Sequence, residues 1–177
     1  KEYTHDHVIA IHENAISAKP KNHFTVGIVD DVTKTSLPEN KTKLDFLTAK
    51  ARKVRDDAIE IIGHFGVGHI GGAMSVMDAL TVIYYDKANV DPTDPKKQDR
   101  DRVIMSKGHA GPAMYAVLAD LGYYPKEWTT TLNQNGTNLP SHCDMNKTPG
   151  IDMTAGSLGQ GLSAAVGMAL AAKMDGN

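Results

Sequence analysis

The sequence predicts an α/β domain that is mostly helical, with few parallel strands. Three observations carry that reading. Leu44, Leu47, Ala51, Val54, Ala58, Ile61 and Ile62 recur at spacings of three and four, with Lys, Arg and Asp between them. That is the pattern of a long amphipathic helix over Leu44–His64. Arg102–Ser106 (RVIMS) is a short apolar run behind a polar loop, as a buried strand would be. Leu158–Met174 is a further helical stretch rich in Ala and Gly.

Taken in chain order, His7–Ala18 carries Val8, Ile11, Ala15 and Ile16 at helical spacing, and Pro20 with Asn22 breaks it. His23–Val29 alternates like a strand, and Asp30-Asp31 and Ser36–Lys41 read as loops. Composition changes near Asn40–Lys43, so the chain divides into residues 1–40 and 43–177. Gly66 and Gly68 end the long helix, and His64 suits its C-terminus, where a cation is favoured. Ser75–Tyr85 reads as the next helix, with Ser75 as its cap. Asp91–Asp101, polar with two prolines, is a surface loop. Pro112–Leu121 and Lys126–Leu132 are helices split by Gly122-Tyr123-Tyr124-Pro125, and Asn133–Pro149 is a long loop.

Composition excludes several classes. The chain has 177 residues, a net charge of -2 and 41% hydrophobic residues. That suits one domain or part of a larger protein, and not a disordered chain. Near-neutral charge gives no reason to expect nucleic acid or an anionic membrane as partner. Cys143 is the one cysteine, so a reducing, cytoplasmic setting fits. The run Ala164–Ala172 is too short to span a bilayer. The chain opens on Lys1 and ends just after a helical pattern, which reads as two cuts within a longer protein.

Three short segments pair small residues with a polar group. His69 lies in Gly68-His69-Ile70-Gly71-Gly72, just before a helix. Glycines there let backbone approach a ligand, and an imidazole could donate to a hydroxyl or move a proton. His109 follows a strand in Ser106-Lys107-Gly108-His109-Ala110, and crevices open at the carboxyl ends of parallel strands. A plain loop or capping histidine is the alternative at each. His142 adjoins Cys143 and Asp144. Zinc or thiol chemistry needs a second ligand or a shared direction, and neighbours in a loop seldom point the same way. Gly156-Ser157-Leu158-Gly159-Gln160-Gly161 has the order G-x-x-G-x-G after a loop, so a dinucleotide site does not follow. Close helix packing through its small residues is the simple alternative. Asp144 and Asp152 are possible acids, although a solvated loop role suits both better. Asp30-Asp31 suits a solvated turn.

These three segments, in this order, resemble the N-terminal, thiamine-diphosphate-binding part of transketolases over residues 43–177. DRVIMSKGHAGPAMYAVL and the TAGSLGQG corner carry most of the likeness. The resemblance implies an incomplete thiamine-diphosphate-binding domain and a parent reaction that moves a two-carbon ketol unit between sugar phosphates. It implies that His109 meets the cofactor's diphosphate, that Gly156, Ser157 and Leu158 meet its aminopyrimidine, and that His69 and His142 reach the sugar. Two departures stand out: Ile70 and Cys143 each replace a proline of the family pattern. The family's magnesium ligands, a Gly-Asp-Gly segment and a downstream Asn, would fall beyond Asn177, so no residue here is assigned to Mg2+. In the family, a later glutamate and the second protomer of a dimer complete the site. The chain is therefore expected to be inactive alone, its partner being another copy in a homodimer or a separate C-terminal transketolase subunit. Exposed apolar faces are expected on Leu44–His64 and Leu158–Met174, and with them aggregation or pairing with another chain. The alternatives are a gene remnant, a non-catalytic partner subunit, or a fragment of 1-deoxyxylulose-5-phosphate synthase. HFTVGIVDDVTKTSLPE resembles a segment of pyruvate:ferredoxin oxidoreductases outside their cofactor domain, which implies that residues 1–40 were joined to the rest from another gene.

Overall fold

The computed structural model describes residues 8–11 and 37–176, with side chains from residue 41 onward. The predicted strand His23–Val29, the Asp30-Asp31 turn and most of the pyruvate:ferredoxin oxidoreductase-like segment lie outside the described residues.

Among the described residues, two parallel strands form a sheet. β1 is Val8–Ile11 and β2 is Arg102–Met105, with Val8 opposite Arg102 and Ile11 opposite Met105. The helix expected over His7–Ala18 is therefore corrected at residues 8–11. A four-residue apolar run with three β-branched members fits either period, and an available strand edge decides it. β2 alternates as a strand must. Val103 and Met105 join the core formed with the helices that precede and follow β2, whereas Ile104 meets Gly161 on the other face.

α1 is Leu37–Phe65, seven residues longer at its start than the periodicity predicts. The loop reading of Ser36–Lys41 fails because Pro38 falls in the first turn, where its fixed φ is accepted and its missing N–H is not needed. Gly66, at φ +83°, closes the helix and donates to the Ile62 carbonyl at 2.9 Å. Val54, Ala58, Ile61 and Ile62 are buried in the core, while Leu44, Phe46 and Ile59 stay exposed.

α2 is Ile70–Val82, continued by a π turn over Ile83–Lys87. It starts five residues before the predicted Ser75, so Ser75 is an interior residue and not the cap. Two glycines in its first turn are tolerated because Ala73, Val76, Met77 and Leu80 bury one face; packing, more than propensity, sustains most helices. α3 is Gly111–Leu121, with Pro112 in its first turn and every residue from Gly111 to Leu118 buried. Gly122 at φ +89° ends it. Lys126–Thr131 is a 3-10 turn and not the helix predicted to Leu132. α4 is Gln160–Asp175.

Asp120 of α3 ties α1 down. Lys50 Nζ and Lys53 Nζ reach its carboxylate at 2.8 and 2.7 Å, and the Tyr85 hydroxyl donates to it at 2.5 Å. Burial opposes the charge, but these three donors outweigh it and hold the carboxyl at about 2. A cavity of about 190 Å³ beside this cluster is lined by Lys53, Asp57, Asp120 and Lys126 among others. Among the described residues, no helix is long and apolar enough to cross a membrane.

Candidate functional site

The site begins at the end of β2. Asp152 anchors the strand: it accepts from the Val103 N–H at 2.8 Å and pairs with Arg100 at 2.5 Å. Asp152 was expected to be solvated; instead its side chain is buried, and burial raises its carboxyl despite the adjacent guanidinium. Its role is to hold backbone in place.

Beyond Met105 the chain turns through Ser106, Lys107 and Gly108 into His109. Two loops grip this turn. The Cys143 N–H donates to the Gly108 carbonyl at 3.2 Å, and the Ala155 N–H donates to the Cys143 carbonyl at 3.1 Å. On the other side, the Gly159 N–H donates to the Ser106 carbonyl at 3.3 Å. Gly108 must be glycine for this fit, since a Cβ there would lie 1.8 Å from the Ala155 oxygen. Gly161 is also close-packed, though less tightly, with its missing Cβ 2.8 Å from Ser106 Cα.

Three imidazoles converge around the turn. His69 immediately precedes α2, His109 lies in a one-turn 3-10 helix over Gly108–Ala110, and His142 comes from the long loop. Their ring centroids are 5.1 Å apart for His69 and His109, 6.0 Å for His69 and His142, and 6.5 Å for His109 and His142. His109 is half-buried, and the other two rings face solvent. Gly72 in the first turn of α2 lies against His109: a Cβ there would stand 2.9 Å from its Nε2.

The Gly156-Ser157-Leu158 corner is exposed, and Gly159 at φ +86° turns it into α4. Its flanking residues are fixed on both sides of the His109 turn, through Ala155 against Gly108 and Gly159 on Ser106. A Cβ at Gly156 would meet nothing within 4 Å, so the backbone at this corner is open to a ligand. The structure thus brings the corner and all three predicted histidines to one place.

Cys143 is separated from this chemistry. It is 1% exposed while His142 beside it is exposed, and burial pushes its thiol up to about 12. The thiolate needed for nucleophilic or metal chemistry is therefore disfavoured. Asp144 accepts from the Asn146 N–H at 2.9 Å and the Thr154 hydroxyl at 3.1 Å, which shapes its own loop.

Two side chains at this site carry no sequence-level assignment. Lys107 is 4% exposed, and its Nζ donates to Ser75 Oγ at 2.8 Å. Ser106 Oγ is buried without a hydrogen-bond partner among the described residues. A lysine embedded in an otherwise apolar strand end was the available signal for the first; nothing in the sequence marks the second.

Neutral imidazoles offer one N–H donor each, and protonated ones two, so this cluster can hold an anion's oxygens or a hydroxyl. Among the described residues no group of three or more His, Cys, Asp or Glu is arranged to hold a metal ion. Converging donors beside an open glycine backbone and an exposed leucine offer polar contacts on one side and an apolar surface on the other.

Comparison with known proteins agrees with that chemistry. The family described as "Transketolase, thiamine diphosphate binding domain" matches residues 47–176. The chain is 55% identical over 129 residues to a 6-deoxy-6-sulfo-D-fructose transketolase subunit of Clostridium sp. strain MSTE9, covering 73% of this chain and 47% of that protein. It is 42% identical over 133 residues to an apulose-4-phosphate transketolase subunit of Phocaeicola vulgatus, covering 75% and 47%. The transketolase from Leishmania mexicana superposes with a TM-score of 0.68 at 33% identity, covering 71% of this chain and 19% of that one. The chain spans about half the length of the curated subunits it matches. On the strength of these matches and of the fold they share, the chain belongs to the transketolase family of thiamine-diphosphate-binding domains.

Proposed function

We propose that this chain supplies the first part of a thiamine-diphosphate site that transfers a two-carbon ketol unit between sugars bearing a terminal anion. The observation that carries the reading is the meeting of His69, His109 and His142 within 6.5 Å, centroid to centroid, beside the Gly156–Leu158 corner. When bound, the cofactor supplies the carbon nucleophile that holds the two-carbon unit. His109, the most buried of the three rings, donates to diphosphate oxygens. His69 and His142, on the open side, hold sugar hydroxyls and relay a proton at their ring nitrogens. The Gly156 backbone would meet the aminopyrimidine beside Ser157, and Leu158 would supply an apolar wedge against the cofactor that keeps water away.

The sugar's far end carries a phosphate or a comparable anion. Relatives named for a sulfonated fructose and for apulose 4-phosphate support that class. The Mg2+ that neutralises the diphosphate would be held by residues outside this chain. Relatives named as subunits support a separate second polypeptide as partner, and a lone cysteine suits a cytoplasmic setting. Residues 1–40 are then a segment of separate origin joined to the catalytic section at 43–177, with Val8–Ile11 paired to β2 and α1 crossing the junction. By itself the chain binds cofactor weakly and turns over nothing.

Saturation-transfer NMR on the 177-residue chain with thiamine diphosphate and Mg2+ tests this. Transfer to the heterocycle protons is expected in the wild type, reduced by Leu158→Asp, with affinity lowered roughly tenfold by His109→Ala, as for a lost charge-assisted hydrogen bond. No transfer in the wild type, or transfer indifferent to both variants, overturns the site. Saturable ketol transfer by this chain alone overturns its dependence on a partner.

A further inference from the structure

We propose that Ser75 is a positioning residue of this site, acting with Lys107 as a brace that fixes the His109 ring against the first turn of α2. The inference deepens the reading above, because the brace matters to catalysis only if His109 holds a ligand.

The contacts form a closed circuit. Lys107 Nζ donates to Ser75 Oγ at 2.8 Å, and Ser75 Oγ donates to the Gly72 carbonyl at 3.2 Å. Gly72 in turn lies against His109, with 2.9 Å between its missing Cβ and His109 Nε2. His109 is two residues from Lys107, so the circuit returns to its start. It joins α2, which delivers His69, to the end of β2, which delivers His109. It adds a directional polar link to the packing between these two segments.

The energetics point the same way. A buried ammonium carries a desolvation cost that an apolar side chain of similar size avoids, so such a group is a poor source of stability. What a directional hydrogen bond adds is a defined separation. Ligand-holding groups need placement to within about 0.5 Å. The Lys107–Ser75 bond supplies that for rings whose centroids lie 5.1 Å apart. Ser75 sits six residues beyond His69, nearly two helical turns, and makes no use of its hydroxyl as a cap, which leaves the brace as its role.

The test uses the full chain and a readout that does not require cofactor. Long-range 1H–15N spectra report the ring nitrogens of each histidine, and nuclear Overhauser contacts report the His69–His109 separation. Ser75→Ala and Lys107→Met are each expected to move the His109 ring signals and weaken the His69–His109 contact, with His64 on α1 unmoved. The double variant should go no further than either single one, and Ser75→Thr should restore the wild-type pattern. Signals for His109 that coincide with wild type in Ser75→Ala, or single effects that simply add, overturn the brace. If Lys107→Met does not fold, Ser75→Ala decides, since it removes one oxygen from an exposed position. A thiamine diphosphate titration on the same samples separates the two ideas. A roughly tenfold weaker affinity in Ser75→Ala supports brace and site together, by analogy with groups that orient metal ligands. Wild-type protein that binds nothing defeats the cofactor site, while the ring signals still judge the brace.

Discussion

Gly108→Ala is the sharpest single perturbation of this protein. The added methyl would lie 1.8 Å from the Ala155 oxygen and 2.8 Å from its carbon, where ordinary contact begins at 3.4 Å. The neighbour is backbone and cannot rotate away, so the two segments must part by about 1.5 Å. The Cys143 N–H to Gly108 bond and the Ala155 N–H to Cys143 bond are already 3.2 and 3.1 Å long, and neither survives such a shift. Each leaves buried groups unsatisfied, at about 1–3 kcal/mol. The expected loss is about 4 kcal/mol, a large share of the roughly 5–15 kcal/mol typical of a folded domain. With a urea slope of about 2 kcal/mol/M, the unfolding midpoint should fall by about 2 M. Gly167→Ala is the control, an interior position of α4 with nothing within 4 Å. It should raise stability by about 0.5–1 kcal/mol through lower unfolded-state entropy. A Gly108→Ala loss below about 1 kcal/mol, the low end for one lost buried bond, would refute the claim that the two loops grip this turn.

The Asp120 cluster predicts acid sensitivity. Its folded carboxyl at about 2 lies below the usual carboxylate value of 3.8, so its stabilisation is complete above about pH 4 and lost as pH falls towards about 2. Allowing for partial screening, that is about 1–2 kcal/mol. Asp152, raised by burial, works in the opposite sense and becomes less costly as it protonates. Asp120→Asn should therefore lower urea stability at about pH 7 by about 2 kcal/mol and flatten its decline between about pH 4 and 2; an unchanged slope counts against the clamp. Cys143 should resist alkylation in native buffer and react only on unfolding, as timed mass spectrometry would record; rapid native labelling would contradict its burial. The face of α4 carrying Leu162, Val166, Leu170 and Met174, with Leu158 just before it, is 40–86% exposed, a stripe that favours association. Leu162→Glu with Leu170→Glu should shift the sedimentation profile towards monomer, and an unchanged profile would remove α4 from any contact.

Much of this molecule was readable in order along the chain. The period of α1, the apolar run of β2, the glycine stops at Gly66 and Gly122 and the helical stretch of α4 are all local signals, and each element stands where its signal lies. The three histidine and glycine segments were legible for the same reason: a ligand site needs small residues next to a donor, and both are written within a few positions. The apolar face expected to be exposed on α4 is so, along Leu162 to Met174, whereas on α1 Leu44 stays open but Ala51, Val54, Ala58, Ile61 and Ile62 are buried against α2 and α3. The failures have a common cause. Val8–Ile11 becomes a strand because β2 offers an edge 94 positions away in register. Asp152 is buried because Arg100 and the Val103 N–H reach it across the fold. Ser75 and Lys107 meet over 32 positions, and no spacing rule announces such a pair.

What the sequence determined by itself was the family, and the candidate rings and backbone openings proposed to face its cofactor. Tertiary structure decided the separations. Distances of 5.1–6.5 Å between rings drawn from three segments depend on non-local hydrogen bonds and on the absence of a Cβ at Gly72 and Gly108. Those contacts exist only once α2, β2 and the two loops have packed together.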